Sequence, residues 1–158
     1  MESSSMIRWE ECKVDFKADG SLRDIYITPA TIEDWRALYP LLKCSSGAEF
    51  TVDGDTEPLP TSVDQVFAIR LSASPMLRIK AGRVAVVFHF FSDDEIECDI
   101  SPSEVRSQSE LDGLLGFVGK IGDATQKQVF ITQENRRNRP FISYNPITRD
   151  FKNHNLSL

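Results

Sequence analysis

The clearest pattern of apolar and polar positions lies in the middle of the chain, where it predicts three consecutive strands. Residues Val84 to Phe91 form a nearly continuous apolar run rich in β-branched and aromatic side chains, as expected for a strand covered on both faces. Gly82 before the run and Ser92 after it indicate turns, so Leu77 to Ala81 and Glu95 to Ile100 are predicted to pair with it as hairpins. The run is therefore predicted to be a central strand.

The last of these three strands alternates strictly between apolar and acidic residues. Side chains at alternate positions of a strand point to opposite faces of the sheet. The residues predicted to face the core are Ile96, Cys98 and Ile100, and those predicted to face water are Glu95, Glu97 and Asp99. One face of this strand is therefore expected to present three carboxylates.

The same reasoning predicts the remaining elements. Further strands are predicted at residues 8–16, 22–27, 48–52, 129–132 and 141–144, the first two as a hairpin. Three- and four-residue spacing predicts one helix after Thr31, one after Ser62 and a longer one with an apolar stripe from Leu111 to Ile121. Pro40 is expected to kink or divide the first helix, and Gly122 to cap the end of the last. The predicted fold class is α+β, a mainly antiparallel sheet with two to four helices packed on it.

Length and composition fit one domain of an ordinary globular protein. The chain has 158 residues, of which 41% are hydrophobic and 27% charged. We expect residues 1–6 to be a flexible lead, 7–151 a single domain and 152–158 a polar tail. The start MESSSM has neither a basic nor an apolar signal region, and the longest apolar run is too short to cross a bilayer. Three cysteines without a CxxC spacing favour reduced thiols, so a cytoplasmic location is expected.

The net charge of −6 has the wrong sign for general attraction to nucleic acid or to an anionic membrane, so a protein partner is favoured. Acidic residues concentrate after the central strand, whereas the C-terminal part is basic. The predicted partner-binding residues are Asp93, Asp94, Glu95, Glu97 and Asp99, with Arg136, Arg137 and Arg139 as secondary candidates. Such asymmetry can steer and orient a partner.

Catalytic and metal-binding patterns are weak. His89 interrupts an apolar strand, where a hydrogen-bonded structural histidine is favoured over a catalytic one. No nucleophile motif surrounds the serines or cysteines, so no catalytic residue is assigned. The segment from Asp53 to Glu57 resembles the start of a calcium loop, but Pro58 occupies the position that needs glycine. No metal or cofactor is expected. The alternative is a small hydrolase or metal-dependent enzyme that uses His89 with Asp93 or Asp94.

Four glycines recur every third residue in the longest predicted helix, at Gly113, Gly116, Gly119 and Gly122. Each interior glycine costs about 1 kcal/mol of helix propensity relative to alanine, so close backbone contact would explain them. Packing within the chain is favoured, and the alternative is contact with a partner or with a second copy, as in a homodimer or a self-associating structural domain.

The C-terminal third carries a strand that ends in T-x-E-N, then a loop, a proline, apolar residues and Y-x-P. The matching residues are Thr132, Glu134, Asn135, Pro140, Tyr144 and Pro146. This segment resembles the C-terminal part of small bacterial immunity-type proteins of polymorphic toxin systems. The resemblance implies a cytosolic, non-catalytic domain that inhibits a cognate toxin by binding it, here through its acidic surface. The basic insertion from Arg136 to Arg139 departs from the acidic character of such proteins.

Overall fold

The computed structural model describes residues 6–155 and confirms the α+β fold class, with one antiparallel sheet and helices packed on it. The nine strands in this range are β1 Arg23–Ile27, β2 Glu49–Val52, β3 Asp55–Thr56, β4 Pro75–Ala81, β5 Val84–Phe88, β6 Ile96–Ile100, β7 Val129–Gln133, β8 Pro140–Asn145 and β9 Asp150–Asn153. The four α-helices are α1 Trp9–Cys12, α2 Ile32–Lys43, α3 Val63–Arg70 and α4 Gln108–Thr125. Two 3-10 turns cover Lys13–Phe16 and Pro102–Glu104.

All nine strands belong to one sheet in the order β3-β2-β4-β5-β6-β1-β7-β8-β9, and every neighbouring pair is antiparallel. The predicted pairing of β5 with β4 and β6 is confirmed, and β5 is not an edge strand. The predicted end of β5 at Phe91 is wrong, because the strand stops at Phe88. The following Phe90 adopts a positive φ of 54° and turns its buried ring against Trp35, so residues 89–91 leave the ladder.

The helices lie on one face of the sheet, called here the inner face, and enclose the apolar core. Thr31 and Ser62 both form the capping boxes that begin α2 and α3. Helix α2 continues through Pro40 to Lys43, so Pro40 does not divide it. None of the helices within residues 6–155 combines the length and the apolar character that crossing a bilayer requires.

The predicted strand at residues 8–16 is wrong, because this segment forms α1 and a 3-10 turn. Val14 is 72% exposed, whereas Cys12 and Phe16 are buried. Cys12 and Phe16 are four residues apart, so they share one side of a helical segment. The alternation of apolar and polar residues from Cys12 to Phe16 also fits a strand, which is why the sequence was ambiguous. Residues 8–27 consequently do not form the predicted hairpin.

Two expectations about the C-terminal third are also corrected. Gly122 lies inside α4, and the left-handed residue at the end of this helix is Gln126, with φ of 57°. The boundary predicted before residue 152 is also wrong, because Lys152 and Asn153 belong to the edge strand β9, Asp150–Asn153. Residues 1–5 of the predicted lead and residues 156–158 of the predicted tail lie outside the described residues.

Gly122 is required by its neighbour Tyr144. A Cβ atom at Gly122 would lie 2.5 Å from Tyr144 Cδ2, whereas one at Gly116 would have no atom within 4 Å. We expect Gly122→Ala to lower the free energy of unfolding by about 1–3 kcal/mol through overpacking. The matched Gly116→Ala should raise it by about 0.5–1 kcal/mol through helix propensity. Urea unfolding of both variants measures the difference, and equal effects would show that the contact with Tyr144 does not constrain position 122.

Candidate partner-binding surface

The face of the sheet that points away from α2, α3 and α4, called here the outer face, brings acidic residues of two neighbouring strands together. The predicted alternation of β6 is confirmed, because Ile96, Cys98 and Ile100 are buried on the inner face. Asp99 is paired directly across from Asp24 of β1, and paired residues share a face. The outer acidic cluster consists of Asp24, Glu95, Glu97 and Asp99.

These carboxylates are less exposed than expected. The side chains of Glu95, Glu97 and Asp99 retain 26%, 19% and 14% of their exposure, and Asp24 is 5% exposed. The loop between β7 and β8 covers part of the cluster, since the backbone N–H of Asn135 donates to Asp24 Oδ2 at 3.1 Å. The outer side of β6 therefore faces water only in part.

Arg137 of this loop joins the acidic and basic candidates into one site. Its guanidinium donates to Glu95 and to Glu97, the latter at 2.7 Å, and lies 4.7 Å from the centre of the Tyr26 ring. Tyr26 in turn donates its hydroxyl to the Arg137 carbonyl at 2.6 Å. Arg136 and Arg139 are exposed and contribute backbone hydrogen bonds to the turn. Sequence reasoning placed Arg137 on a surface separate from the acidic residues, because Glu95 and Glu97 lie 42 and 40 residues before it in the chain.

His89 also belongs to this site, but its carboxylate partner differs from the one predicted. Its Nε2 lies 2.7 Å from Asp99 Oδ2. Asp93 and Asp94 are both exposed at the entry to β6, where Asp94 accepts a hydrogen bond from Ser92 Oγ. The pairing of His89 with Asp93 or Asp94 in the enzyme alternative is therefore wrong.

Burial, hydrogen bonding and neighbouring charges shift the pKa values of three groups at this site. Burial, followed by the neighbouring carboxylates, raises the pKa of Asp24 and that of Glu97. The hydrogen bond to Asp99 raises the pKa of His89, which favours the imidazolium. A pKa above the unfolded value means that protonated His89 stabilises the fold below pH 6.5 or so, and that this contribution is lost as the pH rises through the folded pKa.

An exposed aromatic residue borders the cluster. Phe91 is 53% exposed, and its ring stacks on His89 with the ring centres 4.9 Å apart. The guanidinium of Arg70 lies 5.5 Å from the centre of the same ring. The rim of the outer acidic cluster therefore offers a flat apolar surface next to charge, as protein-binding sites often do.

The residues of the weak calcium pattern belong to the β2–β3 hairpin, where Asp53 and Gly54 form the turn and Asp55–Thr56 form β3. Asp53 and Gly54 both have positive φ, and Asp53 Oδ1 accepts a hydrogen bond from the Ser74 N–H at 2.9 Å. Within the part of the chain that the structure describes, no group of three or more acidic, histidine or cysteine residues is arranged to hold a metal ion.

The residues that carry the C-terminal resemblance have structural contacts of their own. Glu134 accepts a hydrogen bond from the Leu22 N–H at 2.9 Å, and Asn135 has a positive φ of 62°. Tyr144 donates its hydroxyl to Asp123 at 2.6 Å. This segment thus shapes the loop that carries Arg137.

Comparisons of the chain with protein-family models, with curated proteins and with solved structures found no match.

Proposed function

We propose that this protein is a non-catalytic protein-binding domain, an immunity protein that inhibits a cognate bacterial toxin through its outer acidic cluster. The observation that carries the proposal is the gathering of four carboxylates on one sheet face, where Arg137 and His89 are their cationic partners. A partner with a basic surface would be attracted and oriented by this excess of negative charge.

The energetic cost of the cluster supports a binding role. Asp24 and Asp99 lie directly across from each other on β1 and β6. Like charges at such positions destabilise a sheet, and burial adds a desolvation cost to each carboxylate. A cationic side chain from a partner would offset the repulsion between the carboxylates, and its attraction to them would compensate part of the desolvation cost. Relief of this repulsion would contribute to the binding energy.

The remaining features fit an intracellular inhibitor. Cys12, Cys44 and Cys98 are all free thiols, as is usual in a reducing compartment, so we place the protein in the cytoplasm. The self-associating alternative is weaker, because Gly113, Gly119 and Gly122 approach groups of their own chain.

The test is capture of the partner from the source cells followed by binding measurements with purified proteins. A variant with Glu95→Gln, Glu97→Gln and Asp99→Asn neutralises three carboxylates of the cluster. We expect its association with the captured partner to slow by about tenfold or more at low salt, and the salt dependence to weaken, since steering depends on these charges. Stopped-flow or surface-plasmon measurements at several salt concentrations give both quantities.

A matched control removes the same charge elsewhere. Glu49→Gln, Asp55→Asn and Glu57→Gln change three exposed acids at the β2–β3 end of the sheet, away from β6. If both variants slow association equally, only net charge matters and the cluster is not the recognition surface.

Co-expression tests the immunity role. The parent protein should restore growth of cells that produce the partner, and a partner that leaves growth unaffected would refute that role.

A further inference from the structure

The guanidinium of Arg137 is held in the way that proteins recognise an arginine ligand. It donates to two carboxylates, Glu95 and Glu97, and lies over the face of the Tyr26 ring. Planar stacking and a fork of N–H donors are what distinguish arginine from lysine at binding sites. The outer acidic cluster therefore already contains one bound arginine side chain, supplied by the chain itself.

This arginine comes from a loop whose other residues are largely exposed. The connection from β7 to β8 carries exposed residues at 135, 136, 138 and 139, and Arg137 itself retains 33% of its side-chain exposure. Two backbone turns shape the loop, and the carbonyl of Arg137 accepts the Tyr26 hydroxyl. Few buried contacts hold such a loop in place, so it belongs to the less stable parts of the fold.

Two polar groups that Arg137 does not use lie on the same face of the sheet, at Asp24 and Thr132. Thr132 is paired with Asp24 across β1 and β7, and its side chain is fully buried. Its hydroxyl has no hydrogen-bond partner among residues 6–155. A buried polar group without a partner costs about 1–3 kcal/mol and calls for an explanation. Asp24 accepts the Asn135 N–H, while a carboxylate has about four acceptor positions.

We propose that the outer acidic cluster is a binding site for an arginine side chain of the protein partner, and that Arg137 is the resident occupant which this arginine displaces. The inference rests on the proposed function and adds the chemical group that is recognised. An incoming guanidinium would stack on Tyr26 between Glu95 and Glu97. With the loop displaced, Asp24 and the Thr132 hydroxyl would become accessible as additional acceptors.

Competition with Arg137 makes the proposal measurable without the partner. The apparent dissociation constant of a ligand is its intrinsic value divided by the fraction of protein with an open site. Removing the resident side chain should therefore tighten binding. The probe is N-acetyl-arginine methylamide, titrated against the isotope-labelled protein and followed by NMR at Tyr26 and Thr132. N-acetyl-lysine methylamide serves as the matched cation without the planar fork.

We expect Arg137→Gln to bind the arginine probe at least about tenfold more tightly than the parent does, with shifts at Tyr26 and Thr132 and weaker binding of the lysine probe. Arg136→Gln removes the same charge from the same loop without a contact to the cluster, and should bind as the parent does. Adding Glu97→Gln to Arg137→Gln should abolish the gain. If Arg137→Gln fails to fold, Arg137→Lys keeps the charge, loses the fork and should still bind the probe more tightly than the parent.

Equal binding by the Arg136 and Arg137 variants, or shifts confined to other parts of the protein, would overturn the inference. The experiments can refute the arginine site without refuting the proposed function, and the reverse. If partner binding depends on the cluster but no variant gains affinity for the probe, Arg137 is a structural residue and only the present inference is wrong. If the probe behaves as expected but neutralising the cluster leaves partner binding unchanged, the site exists and the proposed function is wrong.

Discussion

Replacing Arg23 with alanine is expected to lower the free energy of unfolding by about 3–5 kcal/mol, because this buried cation holds the N-terminal segment onto the sheet. Arg23 is 1% exposed. Its Nε donates to the Asp15 carbonyl at 2.7 Å, and its Nη2 donates to the Lys17 carbonyl at 2.8 Å. Its Nη1 lies 3.0 Å from Ser21 Oγ and 3.1 Å from the Leu22 carbonyl. The substitution would remove all of these hydrogen bonds and leave a cavity beside β1.

Urea unfolding measures the loss, and Arg78→Ala provides the control. Arg78 is an exposed arginine on β4, and its replacement should change the free energy of unfolding by about 0.5 kcal/mol or less. Arg23→Lys should recover only part of the stability, because an ammonium cannot reach several carbonyls in different directions. A loss below about 1 kcal/mol for Arg23→Ala would contradict this role.

The second large effect is expected at Phe88, where alanine should cost about 3–5 kcal/mol through the cavity it leaves. Phe88 is fully buried on the inner face of β5, between its sheet partners Leu77 and Cys98. Its ring meets Phe117 of α4 edge to face at 6.3 Å. The side chain thus joins the sheet to the longest helix. A domain that is stable by about 5–15 kcal/mol would lose a large part of its stability.

The matched control for Phe88 is Phe91, three residues later and 53% exposed. Its replacement by alanine removes the contacts with His89 and Arg70 but creates no internal cavity, so the cost should be about 1 kcal/mol or less. Thermal unfolding of both variants gives the comparison. Similar losses at the two positions would show that Phe88 does not fill a close-packed core.

The sequence was sufficient to predict the elements whose signals are local. The alternation of β6, the apolar run of β5 and the capping residues Thr31 and Ser62 each depend on neighbouring residues, and all are present in the structure. The start of the chain was ambiguous. Cys12, Val14 and Phe16 fit a strand period, whereas Cys12 and Phe16 alone fit a helical one. The structure buries Cys12 and Phe16 but leaves Val14 exposed, as a helical segment requires. Contacts with the rest of the fold decide between a strand and a helix when the sequence fits both.

The candidate site could be predicted only in part, because it depends on contacts between distant segments. The alternation placed Glu97 and Asp99 on one face, but only the register with β1 adds Asp24. Likewise, Arg137 looked like part of a separate basic loop until the fold brought it to Glu95 and Glu97. Arg23 gave no signal at all, since its partners are mainly backbone carbonyls.

The position of β1 has a consequence for how the nascent chain acquires its structure. This strand leaves the ribosome well before its sheet neighbours β6 and β7, which follow it by about 70 and 100 residues. Until then Ile25 and Ile27 have no partner strand, and long-range pairing of this kind slows folding. A polypeptide interrupted before Val129 would lack β7, β8 and β9, so β1 would be an unpaired edge strand of the incomplete sheet. We therefore expect chaperones that act during translation to bind the β1 segment until the last third of the chain has emerged.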